Sequence, residues 1–429
     1  MFYFCCKVIE KDMSKPKKYF YFIFTIPFIL LILVFNIRFY KMKFADNEIV
    51  KQLNFLENEL KNNNLANKMQ FQFPEGYVFI NSLYGITCCQ YFENYSVDLI
   101  QKEKLLIEAF WAYEQLKNEE AFNIFDDNTN PQLGIFYNGW KNYLLGKIIQ
   151  NSDTNNLDKS ILEEFRINSE IIAKAFSESE SPYLESYSGA SWPADSHVAI
   201  ASLVLYNEMF DNKYEDIVIN WLEKVKSSVD VNTGLIPHST NSKGETLSGT
   251  RGCSIVLSLI FLSEIDKKFA VEQFNLFKEL FIDKKFGFYC VREYPKGTSG
   301  FGDIDSGPVV FDVGFTATVV SLGVFNKFNE SDFSNNFYVP LNIFGLSFEN
   351  QNTKKYLLGK FPIADAFIAW CMSMKPDSEM KTYKSENMIN NKNNLLLIHS
   401  VSAVFILILL IPIFRMIYRK KTQQEQVKY

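Results

Sequence analysis

Only three of the 429 residues are histidine, and no two cysteines stand at CxxC spacing, so the sequence carries no recognisable zinc pattern. Of seven cysteines, Cys5 and Cys6 lie near the start, leaving Cys88, Cys89, Cys253, Cys290 and Cys371 in the body of the chain. An odd number argues against a complete disulfide framework, and adjacent Cys88 and Cys89 cannot easily pair, so all five read as small buried hydrophobes. The net charge is -5, with no basic block outside the two ends, which excludes an electrostatic footprint for nucleic acid. Nothing between Phe44 and Asn394 resembles a Pro-, Gly- or Ser-rich linker, which implies one large domain.

What the chain does have is recurrence. Loops rich in Gly, Pro, Asp and aromatic residues return about every 55 residues, with sequence of helical character between them. They fall at Gly76 to Gly85, Pro131 to Trp140, Ser188 to His197, Gly249 to Cys253 and Gly302 to Pro308, and more weakly near Pro362. A helix pair cannot bury its own apolar face alone, so a repeat of this kind predicts six helical hairpins stacked into a closed ring with their loops gathered on one face. Ser96 to Leu116, His197 to Met209, Tyr214 to Val225, Ser254 to Ile265 and Ala270 to Phe281 all have helical spacing. Ser254 to Ile265 is apolar on nearly every face, as an inner helix should be, and Ala270 to Phe281 is amphipathic, as an outer one should be. Gly287 to Glu293 reads as part of a strand hairpin.

The ends set a second expectation. Tyr19 to Ile37 and Leu395 to Phe414 are apolar runs of about the length that crosses roughly 30 Å of hydrocarbon, and are expected as transmembrane helices. Lys7, Lys11, Lys15, Lys17 and Lys18 precede the first run, and Arg415, Arg419, Lys420 and Lys421 follow the second. The positive-inside bias then predicts a two-pass membrane protein, with cytoplasmic tails over 1–18 and 415–429 and an extracytoplasmic domain over 44–373. Arg38, Lys41 and Lys43 flank the other side of the first run and pull against that orientation. The first run is long for a signal segment, no small-residue cleavage site precedes Arg38, and Met374 to Asn394 reads as a polar tether.

Three loops carry candidate chemistry. In SYSGASWPADSH, Ser186 to His197, Asp195 either caps the following helix or, beside Trp192 and Tyr187, offers a carboxylate next to an aromatic platform suited to a sugar; His197 is an acid/base candidate there. In GFGDIDSGP, Asp303 and Asp305 alternate around Ile304, and like-charge repulsion between two carboxylates on one face raises one pKa. The same loop reads alternatively as a structural turn or an oxygen-ligand loop, although no glutamate completes an EF-hand. In LSGTRGC, Arg251 can clamp a carboxylate, whether of a substrate or of Asp303 or Asp305. Glu185 is a further candidate acid, and Trp140, Tyr137 and His238 complete the candidate ligand-contacting set. Two carboxylates flanking a scissile bond are what glycoside cleavage requires.

The stretch from GIFYNGWKNYLLG through SWPADSHVAIASLVLYNEMFDNKYEDIVINWLEKVK to TGLIPHSTNSKGETLSGTRGCSIVLSLIF resembles the central repeats of the linalool dehydratase/isomerase-like proteins, within the broader six-hairpin glycosidase-like group. The resemblance covers the layout of helices, turns and glycines and implies an all-α (α/α)6 barrel. The cysteines and histidine with which that family works fall here near Ser186, Asp195 and Trp140, so its catalytic set is not implied.

Sequence and resemblance together predict an (α/α)6 barrel with two flanking transmembrane helices. The expected activity is general acid/base chemistry by Asp195, Asp303, Asp305 and Glu185 on a carbohydrate, another polyhydroxylated substrate or a lipid-derived one, as a hydrolase, lyase or isomerase without cofactor or metal. A noncatalytic glycan-binding or scaffold role is the alternative.

Overall fold

The computed structural model describes residues 15–38, 47–153, 157–380 and 392–426. The chain divides into two units, Lys43–Lys384 and the pair of terminal segments Met1–Met42 and Ser385–Tyr429.

The larger unit is mostly helical and (α/α)-barrel-like. Six helices, Gly76–Asn94, Gly134–Asn151, Pro193–Met209, Gly252–Ile265, Phe315–Lys327 and Pro362–Ser373, each pack on the next, and the last packs on the first, closing an inner ring. Against them lie the outer helices Leu99–Gln115, Lys159–Glu178, Glu215–Ser227, Lys267–Phe281 and Ser331–Phe344 in chain order. The sixth outer position, against Pro362–Ser373, is filled by Asn47–Asn62 from the other end of the unit. The inner helices are buried on nearly all sides, whereas an outer helix such as Lys267–Phe281 buries one stripe, Phe269, Ala270, Gln273, Phe274, Phe277 and Phe281. Glycine allows the closest approaches. Gly134 sits at φ +73°, where a Cβ would meet the Ser186 carbonyl oxygen at 2.2 Å, and the next amide, of Ile135, donates to the Glu185 carbonyl at 2.9 Å.

Aromatic side chains fill the axis. Trp140 packs edge-on against Phe79, Phe261 and Trp370, and Phe261 stacks on Trp370 with centroids 6.0 Å apart. Between the layers, Phe274 stacks on Phe328 at 4.3 Å and Phe325 on Phe333 at 5.1 Å; each such pair adds about 1 kcal/mol beyond its area burial. Cys88, Cys89, Cys253, Cys290 and Cys371 are buried and unpaired, and burial raises each thiol pKa.

Several expectations shift. Gly76 to Gly85, read as a loop, lies inside an inner helix, because both glycines are contact points: a Cβ on Gly85 would stand 2.8 Å from Leu144, and one on Gly76 only 2.4 Å from the Met69 backbone. The helix expected from Ser96 starts at Leu99, with Asp98 accepting from the Gln101 amide at 2.8 Å as its cap. The strand hairpin pairs Ile282–Lys285 with Phe288–Val291. Of the expected tether, residues 381–391 lie outside the described residues.

The terminal unit corrects a larger expectation. Among the described residues, no helix is long and apolar enough to cross a membrane, which overturns the two flanking transmembrane helices predicted at Tyr19 to Ile37 and Leu395 to Phe414. The helices that contain those runs, Lys15–Arg38 and Lys392–Gln426, continue into lysine-, arginine- and glutamine-bearing turns, and each has an internal proline, Pro27 and Pro412. The two membrane spans on which the two-pass placement was built are therefore not supported. Within this unit Tyr21 donates to the Leu409 carbonyl at 2.7 Å, and His399 Nδ1 lies 2.5 Å from Asn36 Oδ1.

Candidate active site

A cavity of about 190 Å³ opens at the N-terminal ends of the inner helices. Every inner helix contributes a residue at or near its first turns: Phe79, Phe136, Asp195, Ser254, Thr316 and Ala364. The partial positive charge of helix N-termini favours carboxylates at this end of the ring. Below, Phe79, Phe136 and Phe367 form the floor and rest on Trp140 and Trp370, so the aromatic axis makes the pocket blind.

Three carboxylates line it: Glu75, Asp195 and Asp305. Glu75 immediately precedes the Gly76–Asn94 helix and accepts from the Tyr187 hydroxyl at 2.6 Å. Asp195 sits in the first turn of Pro193–Met209 and accepts from the Ser186 hydroxyl at 2.5 Å. Burial pushes its pKa up to about 8; the Ser186 bond opposes the shift, and the charges of Glu75 and Asp305 add to it. The loop holding Ser186 is pinned by the Ser186 amide donating to the Ala190 carbonyl at 3.0 Å and by a bridge from Ser191 to Thr240, in the hairpin that follows His238.

Asp303 and Asp305 part company. Asp303 Oδ1 accepts from the amides of Asp305 at 3.2 Å and Ser306 at 3.1 Å, closing the turn, and both of its oxygens engage the Arg251 guanidinium. Burial alone would raise Asp303, but Arg251 and these donors override it and hold it down to about 2. Asp305 faces the pocket. Its side chain keeps 38 % of its surface, yet enclosure of the carboxyl, then the charges of Asp303 and Glu75, push it up to about 6 against the opposing Arg251 and Trp192.

Behind Asp305 lies a polar network. His238 Nε2 stands 3.6 Å from Asp305 Oδ2 and 3.3 Å from Arg251 Nη1, while its Nδ1 is hydrogen-bonded to the Ser254 hydroxyl. Burial first, then the Arg251 charge, hold His238 down to about 4, so its ring is neutral at pH 7. Arg251 Nε donates to the enclosed Glu293 at 2.9 Å. Ligand atoms of His238, Asp303 and Asp305 lie within 4.8 Å of one another, close enough for a cation. Arg251 already contacts two of the three, and its guanidinium supplies the positive charge there.

Of the residues singled out from sequence, Asp195, Asp305, Tyr187, Trp192 and His238 meet at this cavity, with Asp303 and Arg251 directly behind it. Four lie elsewhere. Glu185 accepts from the Gly189 amide at 3.0 Å and stabilises its own loop. Trp140 is in the axis beneath the floor, and Tyr137 donates to the Leu116 carbonyl at 2.7 Å. His197 is buried against Trp221 with Nδ1 on the Pro193 carbonyl at 2.6 Å, and burial holds it down to about 4. Glu75, Ser254 and Glu293 were not singled out. An acid directly before a glycine-led helix, and a serine in the first turn of an all-apolar helix, are the signals that could have marked the first two.

No family model matches this chain, and no curated protein matches it. Among solved structures, the chain is similar to a GH76 alpha-mannanase of Bacteroides thetaiotaomicron, in selenomethionine form, at 12% identity and a TM-score of 0.43, over 69% of this chain and 85% of that one.

Proposed function

We propose that this chain is an enzyme that cleaves a C–O bond of a carbohydrate or other hydroxylated substrate by general acid/base chemistry. One observation carries the reading: two carboxyl groups, Asp195 and Asp305, share one blind pocket, and their surroundings hold them at about 8 and about 6. At pH 7 Asp195 keeps its proton and Asp305 is mostly ionised, which divides the work between an acid and a base. Asp195 protonates the departing oxygen. Asp305 takes a proton either from an attacking water, giving hydrolysis, or from the neighbouring carbon, giving elimination. Trp192, Tyr187 and Phe73 supply flat apolar faces against which a sugar ring or an aliphatic chain can lie. The test is product analysis by mass spectrometry after incubating the full chain with a panel of aryl glycosides, oligosaccharides and simple alcohols. Turnover lost in Asp305→Asn supports the proposal; no turnover of any compound, or turnover unchanged in both Asp305→Asn and Asp195→Asn, overturns it.

A noncatalytic ligand-binding role is favoured by one observation, the commitment of Asp303 to Arg251 and to its own turn. In that case glycan binding persists in Asp305→Asn and no product forms with either protein.

A further inference from the structure

We propose that the substrate of this pocket is a small organic cation, a hydroxylated molecule such as an amino sugar or amino alcohol whose ammonium group is held by Glu75 and Asp305. The inference rests on the reading that this pocket is the ligand site and deepens it by naming the substrate class. Among the described residues that line the cavity, the charged side chains are Glu75, Asp195 and Asp305, with no lysine or arginine. Arg251, behind the lining, is matched by Glu293 and Asp303, and His238 is neutral at pH 7. A lining of one sign leaves the balancing charge to be brought by the ligand.

The carboxylates keep atoms free for it. Glu75 Oε1 accepts from the Tyr187 hydroxyl and Asp195 Oδ2 from the Ser186 hydroxyl, and among the described residues neither second oxygen has a hydrogen-bond partner. Asp195 is only 7% exposed and lines the cavity, so a bound molecule is the partner that its free oxygen lacks. The three acids are close enough for Asp195 to feel the charges of Glu75 and Asp305, and for Asp305 to feel that of Glu75. An ammonium between Glu75 and Asp305 relieves that repulsion and donates a charge-assisted hydrogen bond to each. It leaves burial, the first cause of the raised Asp195 pKa, in place, so Asp195 keeps its proton for the departing oxygen.

The rest of the lining suits the body of such a cation. Trp192, Tyr187 and Phe73 present aromatic faces, which attract a cation as well as an apolar ring. The cavity of about 190 Å³ has room for a single six-membered ring, since one on the order of 150 Å³ holds benzene. The helix N-termini around it carry partial charges that fall off within a turn and are set against the carboxylates beside them, so they do not reverse the sign. The same carboxylates repel a substrate that carries a carboxylate or phosphate at this position.

The experiment titrates the native full chain at pH 7 with three molecules of similar shape, cyclohexylamine, cyclohexanol and cyclohexanecarboxylate, by isothermal titration calorimetry. Expected is amine binding about tenfold or more tighter than alcohol binding, with no binding of the carboxylate. In Glu75→Gln, whose amide oxygen can still accept from Tyr187, the preference for the amine should fall about fivefold or more while affinity for the alcohol is unchanged, which also shows that the variant is folded. Asp305→Asn, titrated in parallel, should lose the same preference. Alcohol or carboxylate bound as tightly as the amine, no amine binding up to about 10 mM, or an unchanged preference in both variants overturns the proposal. Turnover of neutral substrates with no preference for the amine removes this inference alone, and amine binding without turnover of any amino sugar or amino alcohol removes the acid/base reading alone.

Discussion

Arg251 donates its Nε–H to Glu293 Oε1 at 2.9 Å, and Glu293 is 0% exposed, so the guanidinium holds a fully enclosed carboxylate on one side while its Nη2 holds Asp303 Oδ1 at 3.1 Å on the other. One side chain thereby ties the Gly252–Ile265 helix to the strand hairpin and to the loop that presents Asp305. Removing one partner of a buried pair leaves the other charge uncompensated and costs about 3 kcal/mol or more. Glu293→Ala is therefore expected to lower the unfolding free energy by about that amount, read as a lower urea midpoint at unchanged m-value. Asp303→Ala should cost much less, because Asp303 is nearly half exposed.

Asp195 should make stability fall with rising pH. Its folded pKa, about 8, is above the ordinary aspartate value, so between pH 4 and pH 8 the folded state holds a proton that the unfolded state has released. Burial of the carboxylate then opposes folding progressively across that window, by an amount on the order of 5 kcal/mol at its upper limit. Asp195→Asn cannot ionise and can still accept from Ser186. Its stability relative to the natural chain should rise from pH 4 to pH 8 and level off above; equal slopes in chemical denaturation series across this range would refute the assignment.

On the proposed acid/base reading, the same two groups set the rate. With Asp305 acting ionised and Asp195 acting protonated, activity should follow a bell with limbs near the values to which their surroundings move them, about 6 and about 8. Asp195→Asn should lose the alkaline limb along with about 100-fold or more of the rate. The Asp303 charge is one reason that Asp305 is raised, so Asp303→Asn should move the acid limb to lower pH. A pH–rate profile of the three proteins decides among these outcomes.

The ring was legible because burial imposes a pattern: a helix enclosed on both sides, such as Gly252–Ile265, must be apolar all round, and an outer one such as Lys267–Phe281 must not. The acidic pair was legible because Asp195, at the start of a helix, and Asp305, in a loop, stand in segments whose Gly, Pro and Trp content is unusual. Which way a side chain turns was not. Glu185, only ten residues before Asp195, curls onto Gly189, while Glu75 reaches the pocket from a segment whose glycines suggest a loop and in fact serve helix packing. Ser254 and Glu293 acquire meaning only through His238 and Arg251, which lie 16 and 42 residues away from them along the chain. At the ends, two apolar runs were visible in the sequence, but among the described residues no helix is long and apolar enough to cross a membrane.

Closure of the ring depends on a contact of long sequence separation. Asn47–Asn62 fills the outer position beside Pro362–Ser373, and its Glu48 binds Lys354 and Tyr338, all three buried. Because these residues lie about 300 apart, the contact forms only after the intervening hairpins have brought the two ends of the unit together, and its loss should open the ring at that seam. Lys354→Met leaves Glu48 buried without its cation and is expected to cost about 3 kcal/mol. Adding Glu48→Gln removes the stranded charge and should restore part of that loss, since the amide can still accept from Tyr338. Urea denaturation of the two single variants and the double variant measures the coupling. Hydrogen exchange should show the extra opening concentrated in Asn47–Asn62 and the 354–359 segment, whereas loss spread evenly over all six hairpins would mean that the seam is not where the ring is held.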